Sequence, residues 1–183
     1  MEEDKKLNFN LNGKEFNTIN FTQSIYFNKI KINENMVNIL KNIKLEKKDN
    51  NLTSYYNEND PVLSTQVFTY LAEEFSKLNK IIKKDKFIIS KWWVQKYNKG
   101  DWHILHTHGT IKNSLSFVLY LDCTENSSQI WFFGPGYPTI EYEPIKFKPE
   151  KGLLIVFPSY LPHTVLPNED YKRFILSGNI THG

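Results

Sequence analysis

Three histidines stand at positions from which metal binding can be inferred. His106 and His108 occupy alternate positions, and His163 follows much later in the chain. Alternate side chains of a β-strand point to the same face, so the first two imidazoles can share one ligand. Imidazole binds iron, zinc, copper and nickel, and the residue types alone therefore predict a metal site without selecting the metal. The alternative is a half-exposed strand and a surface turn, and we expect such structural roles for His103 and His182, which belong to no such spacing.

The only arginine among the 23 basic residues is Arg173, ten positions after His163. A guanidinium binds a carboxylate through two parallel hydrogen bonds, a geometry that lysine cannot reproduce. In a strand Arg173 and Ser177 share a face, and Tyr97 and Tyr120 can provide further hydrogen-bond donors. The sequence therefore predicts a carboxylate ligand at the arginine. A surface ion pair with an acidic residue a few positions earlier is the alternative.

Short strands must position these residues, because apolar and turn residues alternate at short intervals from residue 87 onward. The predicted strands are residues 87–98, 102–108, 114–122, 129–133, 140–147, 152–157, 163–166 and 173–180. Eight short strands of this kind favour two packed sheets. We therefore expect a mostly β fold, a double-stranded β-helix (jelly roll), in one domain spanning residues 1–183. Residues 87–183 would be the jelly-roll core with the site.

Residues 1–86 are expected to cover this core with short strands and with helices packed on one sheet. Apolar residues between 7 and 32 predict two or three short strands. Two amphipathic helices follow, the first capped by Asn33 or Asn35 and the second by Ser64 or Thr65. The polar tract between the helices predicts a loop, because asparagine and serine are frequent in it.

Composition and charge argue against several classes of protein. The net charge of +3 is small and the lysines are scattered, which does not favour nucleic-acid binding. A lone cysteine, Cys123, cannot form an internal disulfide, so the cytoplasm is the expected location, or the host cytoplasm if a phage encodes the chain. No segment has the length and apolarity needed to span a bilayer. We therefore expect no nucleic-acid partner and no membrane association.

Several stretches of the second half together resemble a known family. They are residues 97–108, 115–121 and 152–159, followed by His163 and Arg173. These stretches are similar to the iron(II)- and 2-oxoglutarate-dependent dioxygenases, most of all to the prolyl 4-hydroxylase-like group with its bacterial and phage members. The resemblance implies that His106 and His163 are iron ligands. It also implies that the arginine binds the distal carboxylate of 2-oxoglutarate, assisted by Tyr97, Tyr120 and Ser177.

One position departs from the family pattern. Most members have an aspartate two residues after the first iron histidine, and this chain has His108 there. Three arrangements follow: His108 is a third neutral ligand, or two histidines and water hold the iron, or another carboxylate such as Asp101 reaches the site. We expect the first, because the spacing and the strand face are both preserved. The predicted metal ligands, catalytic together with Arg173, are thus His106, His108 and His163.

The resemblance implies an oxygenase that consumes O2 and 2-oxoglutarate, releases succinate and hydroxylates a carbon of a second substrate, with ascorbate as a candidate reductant. That substrate is a proline-containing peptide or protein, or a small molecule. An aromatic groove for an extended peptide is predicted from Trp93, Trp102, Trp131, Phe132 and Tyr137. Two rival classes are a cupin-like zinc hydrolase or isomerase and a non-catalytic jelly-roll binding module. Exposed edge strands would allow a homodimer.

Overall fold

The computed structural model describes residues 23–48, 50–83, 86–109, 114–134 and 143–182. This part of the chain forms strands and two helices, in an order that leaves the second half almost purely β. In chain order the elements are β1 (Tyr26–Lys29), α1 (Glu34–Lys41), β2 (Glu46–Lys48), β3 (Asn51–Thr53), α2 (Pro61–Ile82), β4 (Phe87–Tyr97), β5 (His103–His106), β6 (Ser114–Cys123), β7 (Ile130–Phe132), β8 (Ile145–Phe147), β9 (Leu153–Pro158), β10 (His163–Val165) and β11 (Arg173–His182).

The strands form two antiparallel sheets. A major sheet of seven strands has the order β1-β9-β6-β11-β4-β3-β2, and a minor sheet of four strands has the order β5-β10-β7-β8. Buried side chains from both sheets form one apolar cluster, which includes Val118 of β6, Ile175 of β11, Ile130 of β7 and Val165 of β10. The predicted mostly β fold, a double-stranded β-helix of two packed sheets, is confirmed.

A second apolar cluster lies on the other face of the major sheet, under the helices. Leu71 and Phe75 of α2 pack in it with Phe117 and Leu119 of β6. Each fully buried side chain of this size contributes about 1.5–3 kcal/mol. Because side chains alternate along a strand, the neighbouring Tyr120 faces the minor sheet instead. The predicted packing of helices on one sheet is therefore confirmed.

The N-terminal cap predicted from sequence is observed for α1 and not for α2. Asn33 caps α1, because its side chain accepts hydrogen bonds from two backbone N–H groups of the first turn. The predicted cap of α2 at Ser64 or Thr65 is wrong: α2 begins at Pro61, and Asp60 accepts from the N–H of Leu63 at 2.7 Å. Proline at the first helical position needs no N–H partner, which favours this earlier start. No described helix is long and apolar enough to cross a membrane.

The loop predicted for the polar tract, residues 46–60, is confirmed for residues 54–60 and wrong for the part that forms strands. The tract contains the hairpin of β2 and β3, and β3 extends the major sheet by pairing with β4. β2 is exposed throughout and lies at the sheet edge, where polar and charged residues are common. Of the strands predicted between residues 7 and 32, β1 is observed, paired with β9. Residues 7–22 lie outside the described residues.

Candidate metal and co-substrate site

Two strands of the minor sheet bring the three histidines together. β5 ends at His106 and β10 begins at His163, and these two residues are direct partners in the antiparallel pair. His108 lies two residues beyond β5, so the predicted strand 102–108 is too long. The backbone N–H of His108 is held by the carbonyl of Ser159 at 2.7 Å. The site is thus built from two strand ends and one short connection, and the shared strand face predicted for the first pair is not what aligns them.

The histidine Nε2 atoms converge on one point. The Nε2 of His108 lies 3.2 Å from the Nε2 of His106 and 3.2 Å from that of His163. Each of the three histidines offers one ring nitrogen, and these three nitrogens all lie within 4.8 Å of one another. The described residues contain no other cluster of this kind. Imidazole nitrogens bound to one metal at about 2.1 Å stand about 3 Å apart when adjacent. The spacing therefore fits three ligands of one ion.

Hydrogen bonds at the opposite ring nitrogens determine which nitrogen is free to bind. Nδ1 of His106 contacts the carbonyl oxygen of Ile104 at 2.7 Å, and Nδ1 of His163 contacts that of Leu161 at 2.9 Å. A carbonyl oxygen only accepts, so both Nδ1 atoms carry the proton and both Nε2 atoms keep a lone pair. Lone pairs directed at one another repel unless a cation lies between them. These donors fit a bound metal ion, in the way that such outer hydrogen bonds orient metal-binding histidines.

Burial keeps these imidazoles neutral, which metal binding requires. Loss of hydration lowers the pKa of His108 to about 4, helped by the nearby His106. The pKa of His163 lies well below its ordinary value, mainly because of burial and then because of the other histidines. Burial also lowers the pKa of His106. All three rings are therefore neutral at physiological pH and need not lose a proton to bind an ion.

Arg173 lies in the interior and forms no ion pair with the acidic residues that the structure describes. It is 1% exposed, and the carboxylate of Asp170 instead accepts from Thr124 and from the backbone N–H of Tyr171. Its Nε donates to the carbonyl of Ser128 at 3.2 Å. The surface ion pair considered as an alternative is therefore wrong.

Two tyrosines surround the guanidinium and leave one of its nitrogens unpaired. Nη2 donates to the hydroxyl of Tyr120 at 3.3 Å, and the ring centroid of Tyr97 lies 4.3 Å from Cζ. Nη1 is buried and has no hydrogen-bond partner among the described residues. A buried charge with an unused donor is costly unless a ligand completes it. The arginine thus fits a carboxylate, as 2-oxoglutarate carries.

A narrow cavity joins the two halves of the site. The three histidines line one part, Arg173 and Tyr97 line another, and Ser177, which is 2% exposed, lies on the same wall. Apolar side chains of both sheets complete the lining: Val118, Ile130, Val165 and Ile175. The structure thus brings together all seven residues predicted for the site, Tyr120 through its bond to the guanidinium. Asp101 is not among them, because its carboxylate accepts from the N–H of Asn98.

His103 belongs to the site although its position in the sequence does not indicate it. Its ring stacks on that of His106 with centroids 4.1 Å apart, and its Nδ1 lies 3.3 Å from the hydroxyl of Tyr97. Burial lowers its pKa to about 3. The pairing of β5 with β10 is irregular, since between the paired residues one residue of β10, Thr164, lies opposite two of β5, Ile104 and Leu105. This bulge places His103 beside His106, and strict alternation cannot predict such a shift.

An outer pocket of about 260 Å³ opens onto the histidines. A row of aromatic rings leads inward: the centroids of Tyr56 and Tyr55 are 5.1 Å apart, those of Tyr55 and Trp93 are 4.9 Å apart, and those of Trp93 and His108 are 5.4 Å apart. Of the described residues predicted for the aromatic groove, Trp93 lines this pocket, and Trp102, Trp131 and Phe132 do not. Phe132 is buried in the core, and Tyr137 lies outside the described residues.

Comparison with known families agrees with this geometry. Residues 91–179 match the model of a family described as "Putative 2OG-Fe(II) oxygenase", where 2OG is 2-oxoglutarate. The matched range contains the three histidines, Arg173 and the cavity between them. Residues 91–179, just under half of the chain, are thus similar to this family. Together with the site geometry, the match supports a 2-oxoglutarate-dependent dioxygenase, as the resemblance implied, with Fe(II) and 2-oxoglutarate as metal and co-substrate. The zinc enzyme and the non-catalytic module are not favoured.

Solved structures share the fold at low identity. A 2OG-Fe(II) oxygenase family oxidoreductase from Burkholderia pseudomallei has a TM-score of 0.68 at 14% identity, covering 81% of this chain and 76% of its own. A prolyl-4-hydroxylase from Pseudomonas putida has a TM-score of 0.63 at 17% identity, covering 88% and 94%. HygX from Streptomyces hygroscopicus, with nickel, 2-oxoglutarate and hygromycin B bound, has a TM-score of 0.62 at 12% identity, covering 87% and 83%. No curated protein matches the chain by sequence.

Proposed function

We propose that His106, His108 and His163 bind the Fe(II) ion and that Arg173 binds the distal carboxylate of 2-oxoglutarate. One observation supports this assignment most directly: three convergent Nε2 atoms and an unpaired guanidinium nitrogen line the same cavity. The iron requires lone pairs, and the co-substrate requires a cation at the distance of its far carboxylate. Tyr97, Tyr120 and Ser177 complete the carboxylate pocket in this proposal.

When bound, iron(II) and 2-oxoglutarate supply the oxidising chemistry with O2, and ascorbate is the proposed reductant that keeps the metal ferrous. The chain itself contributes position and environment. Arg173 is held rigidly by Ser128 and Tyr120, so little ordering is needed when a carboxylate arrives. The apolar lining excludes water, which strengthens the pairing of carboxylate and guanidinium.

For the second substrate we propose a proline-containing peptide or protein that enters the outer pocket. The row of Tyr56, Tyr55 and Trp93 offers an aromatic wall that leads to the metal ligands, and extended proline-rich peptides bind to walls of this kind. The pocket, at about 260 Å³, lies just below the size range of small-molecule sites, which begins at about 300 Å³. A small molecule is therefore the second candidate, and the fold neighbour that holds hygromycin B is one case of such a ligand.

The test is co-substrate turnover in the presence of candidate substrates. The protein is loaded with Fe(II) without oxygen, and succinate is measured after O2, 2-oxoglutarate and ascorbate are added. Basal succinate formation supports the assignment of the site, and stimulation by a proline-rich peptide, together with a 16-Da mass increase on the peptide, supports the peptide substrate. Basal turnover that a panel of such peptides leaves unchanged would reject the peptide and favour a small molecule.

A further inference from the structure

His108 is held by a network that reaches the major sheet. Its Nδ1 lies 2.9 Å from Oδ1 of Asn179 on β11. The hydroxyl of Ser116 on β6 donates to the same oxygen at 3.0 Å, and the hydroxyl of Ser159 lies 2.9 Å from that of Ser116. Ser159 also accepts the backbone N–H of His108 through its carbonyl. Ser116 is fully buried and Ser159 is 1% exposed, so water does not replace these bonds.

The directions of these hydrogen bonds follow from the chemistry of the groups. The amide oxygen of Asn179 only accepts, so Nδ1 of His108 must donate to it. Ser116 has one hydroxyl proton and gives it to Asn179, so the hydroxyl of Ser159 donates to Ser116. Two donors therefore converge on Oδ1 of Asn179 and hold the amide in one orientation. His108 is left with a proton on Nδ1 and a lone pair on Nε2, the nitrogen that faces the other two histidines.

We propose that Asn179 is a positioning residue that holds His108 in the tautomer competent to bind metal, and that Ser116 and Ser159 orient the Asn179 amide for this purpose. The inference rests on the proposed function, in which His108 is the third ligand. A carboxylate at this position binds through either oxygen and needs no such selection. A neutral imidazole binds only through the nitrogen that lacks the proton, and the free ring populates both tautomers. A histidine here therefore needs an acceptor behind it.

Asn179→Ala is expected to weaken metal binding without removing a ligand. Loss of such an outer partner typically costs 10- to 100-fold in metal affinity. Asn179→Asp keeps the acceptor and adds a negative charge, so its affinity should equal or exceed that of the parent. Co(II) serves as a redox-stable probe, and its dissociation constant is measured by competition with a chelator. Asn59→Ala is the matched control, because it removes a half-buried asparagine whose side chain donates to the carbonyl of Trp92 at 3.0 Å and not to a residue of the site.

The metal-free protein provides a second measurement that does not depend on activity. Long-range ¹H–¹⁵N correlation spectra distinguish the two neutral tautomers of a histidine ring. His108 should carry its proton on Nδ1 in the parent and in Asn179→Asp, and should show a mixture of tautomers in Asn179→Ala. Ser159→Ala, which loosens the amide without removing it, should give a smaller change in the same direction. A His108 spectrum unchanged in Asn179→Ala would overturn the proposal.

A double-mutant comparison separates positioning from general stability. In a His108→Asp background the carboxylate has no tautomer to select, so Asn179→Ala should change Co(II) affinity by less than about threefold. An equal loss in both backgrounds would mean that Asn179 only supports the fold, and the proposal would fail. The proposed function fails separately: if His108→Ala binds Co(II) as tightly as the parent, His108 is not a ligand. Parent-like affinity in Asn179→Ala, with a loss in His108→Ala, would reject the positioning role alone.

Discussion

Replacement of Arg173 should remove 2-oxoglutarate binding while metal binding stays nearly intact. Arg173 is the only lysine or arginine among the described residues that line the cavity, so no neighbouring side chain can replace its guanidinium. A carboxylate that enters this cavity in Arg173→Ala would be buried and unpaired, which costs about 2–5 kcal/mol. Because each tenfold change corresponds to about 1.4 kcal/mol, the dissociation constant for 2-oxoglutarate should increase by a factor between roughly 30 and several thousand.

Arg173→Lys should lie between the parent and the alanine variant. Lysine restores the charge as a single point, but it cannot pair in the planar fork of arginine. The assay is calorimetric titration of 2-oxoglutarate into the anaerobic Fe(II) or Co(II) form, with the metal affinity measured separately for each variant. Lys172→Ala is the control, since it removes an exposed cation next to Arg173 in the chain and should bind 2-oxoglutarate as the parent does.

Thermal unfolding shows whether each variant is folded before binding is interpreted. Parent-like affinity for 2-oxoglutarate in a folded Arg173→Ala variant would refute the reasoning, because the buried cation would then have no role in holding the co-substrate.

Three further outcomes are expected. His108→Ala should lose iron and coupled succinate formation, whereas His108→Asp should retain both, as measured by metal content and turnover at fixed pH; full iron occupancy in the alanine variant would exclude the three-histidine site. The metal-free fold should lose stability as pH falls from about 6.5 towards 3. The reason is that His103 and His108 bind protons in the unfolded chain at pH values where burial keeps them neutral in the folded protein. The expected loss is up to about 1.4 kcal/mol per pH unit for each histidine. Urea midpoints at several pH values measure this loss, and a flat profile would contradict it. Residues 46–60 should gain hydrogen-exchange protection when 2-oxoglutarate and a substrate peptide bind, and Tyr56→Ala should raise the KM for that peptide; unchanged protection despite peptide binding would remove this segment from the substrate pocket.

Much of the site is predictable from sequence because successive side chains of a β-strand point to opposite faces of the sheet. Period two along β6 separates Leu119, which packs under the helices, from Tyr120, which faces the arginine. The same rule on β11 places Arg173 and Ser177 on the cavity wall. Both strands are long and paired on two sides, so their register is strongly constrained and a local pattern is enough to predict it.

The features that sequence reasoning missed depend on contacts between distant segments. His103 reaches the site through a bulge between β5 and β10, and a bulge leaves no mark in local composition. Tyr55 and Tyr56 enter the outer pocket because the polar tract folds into an edge hairpin on β4, a pairing decided by tertiary contacts. The lowered pKa of His108, about 4, also depends on burial by distant segments, which its sequence neighbours do not show.

The three histidines are anchored to different sheets, and this has a mechanical consequence. His106 and His163 belong to strands of the minor sheet, whereas His108 is tied through Asn179 to β11 of the major sheet. An ion bound to all three would therefore link the minor sheet to the major sheet. A free iron concentration a thousand times the dissociation constant would add about 4 kcal/mol to the stability of the folded state. The availability of iron would then determine the stability of the folded protein as well as its catalytic rate.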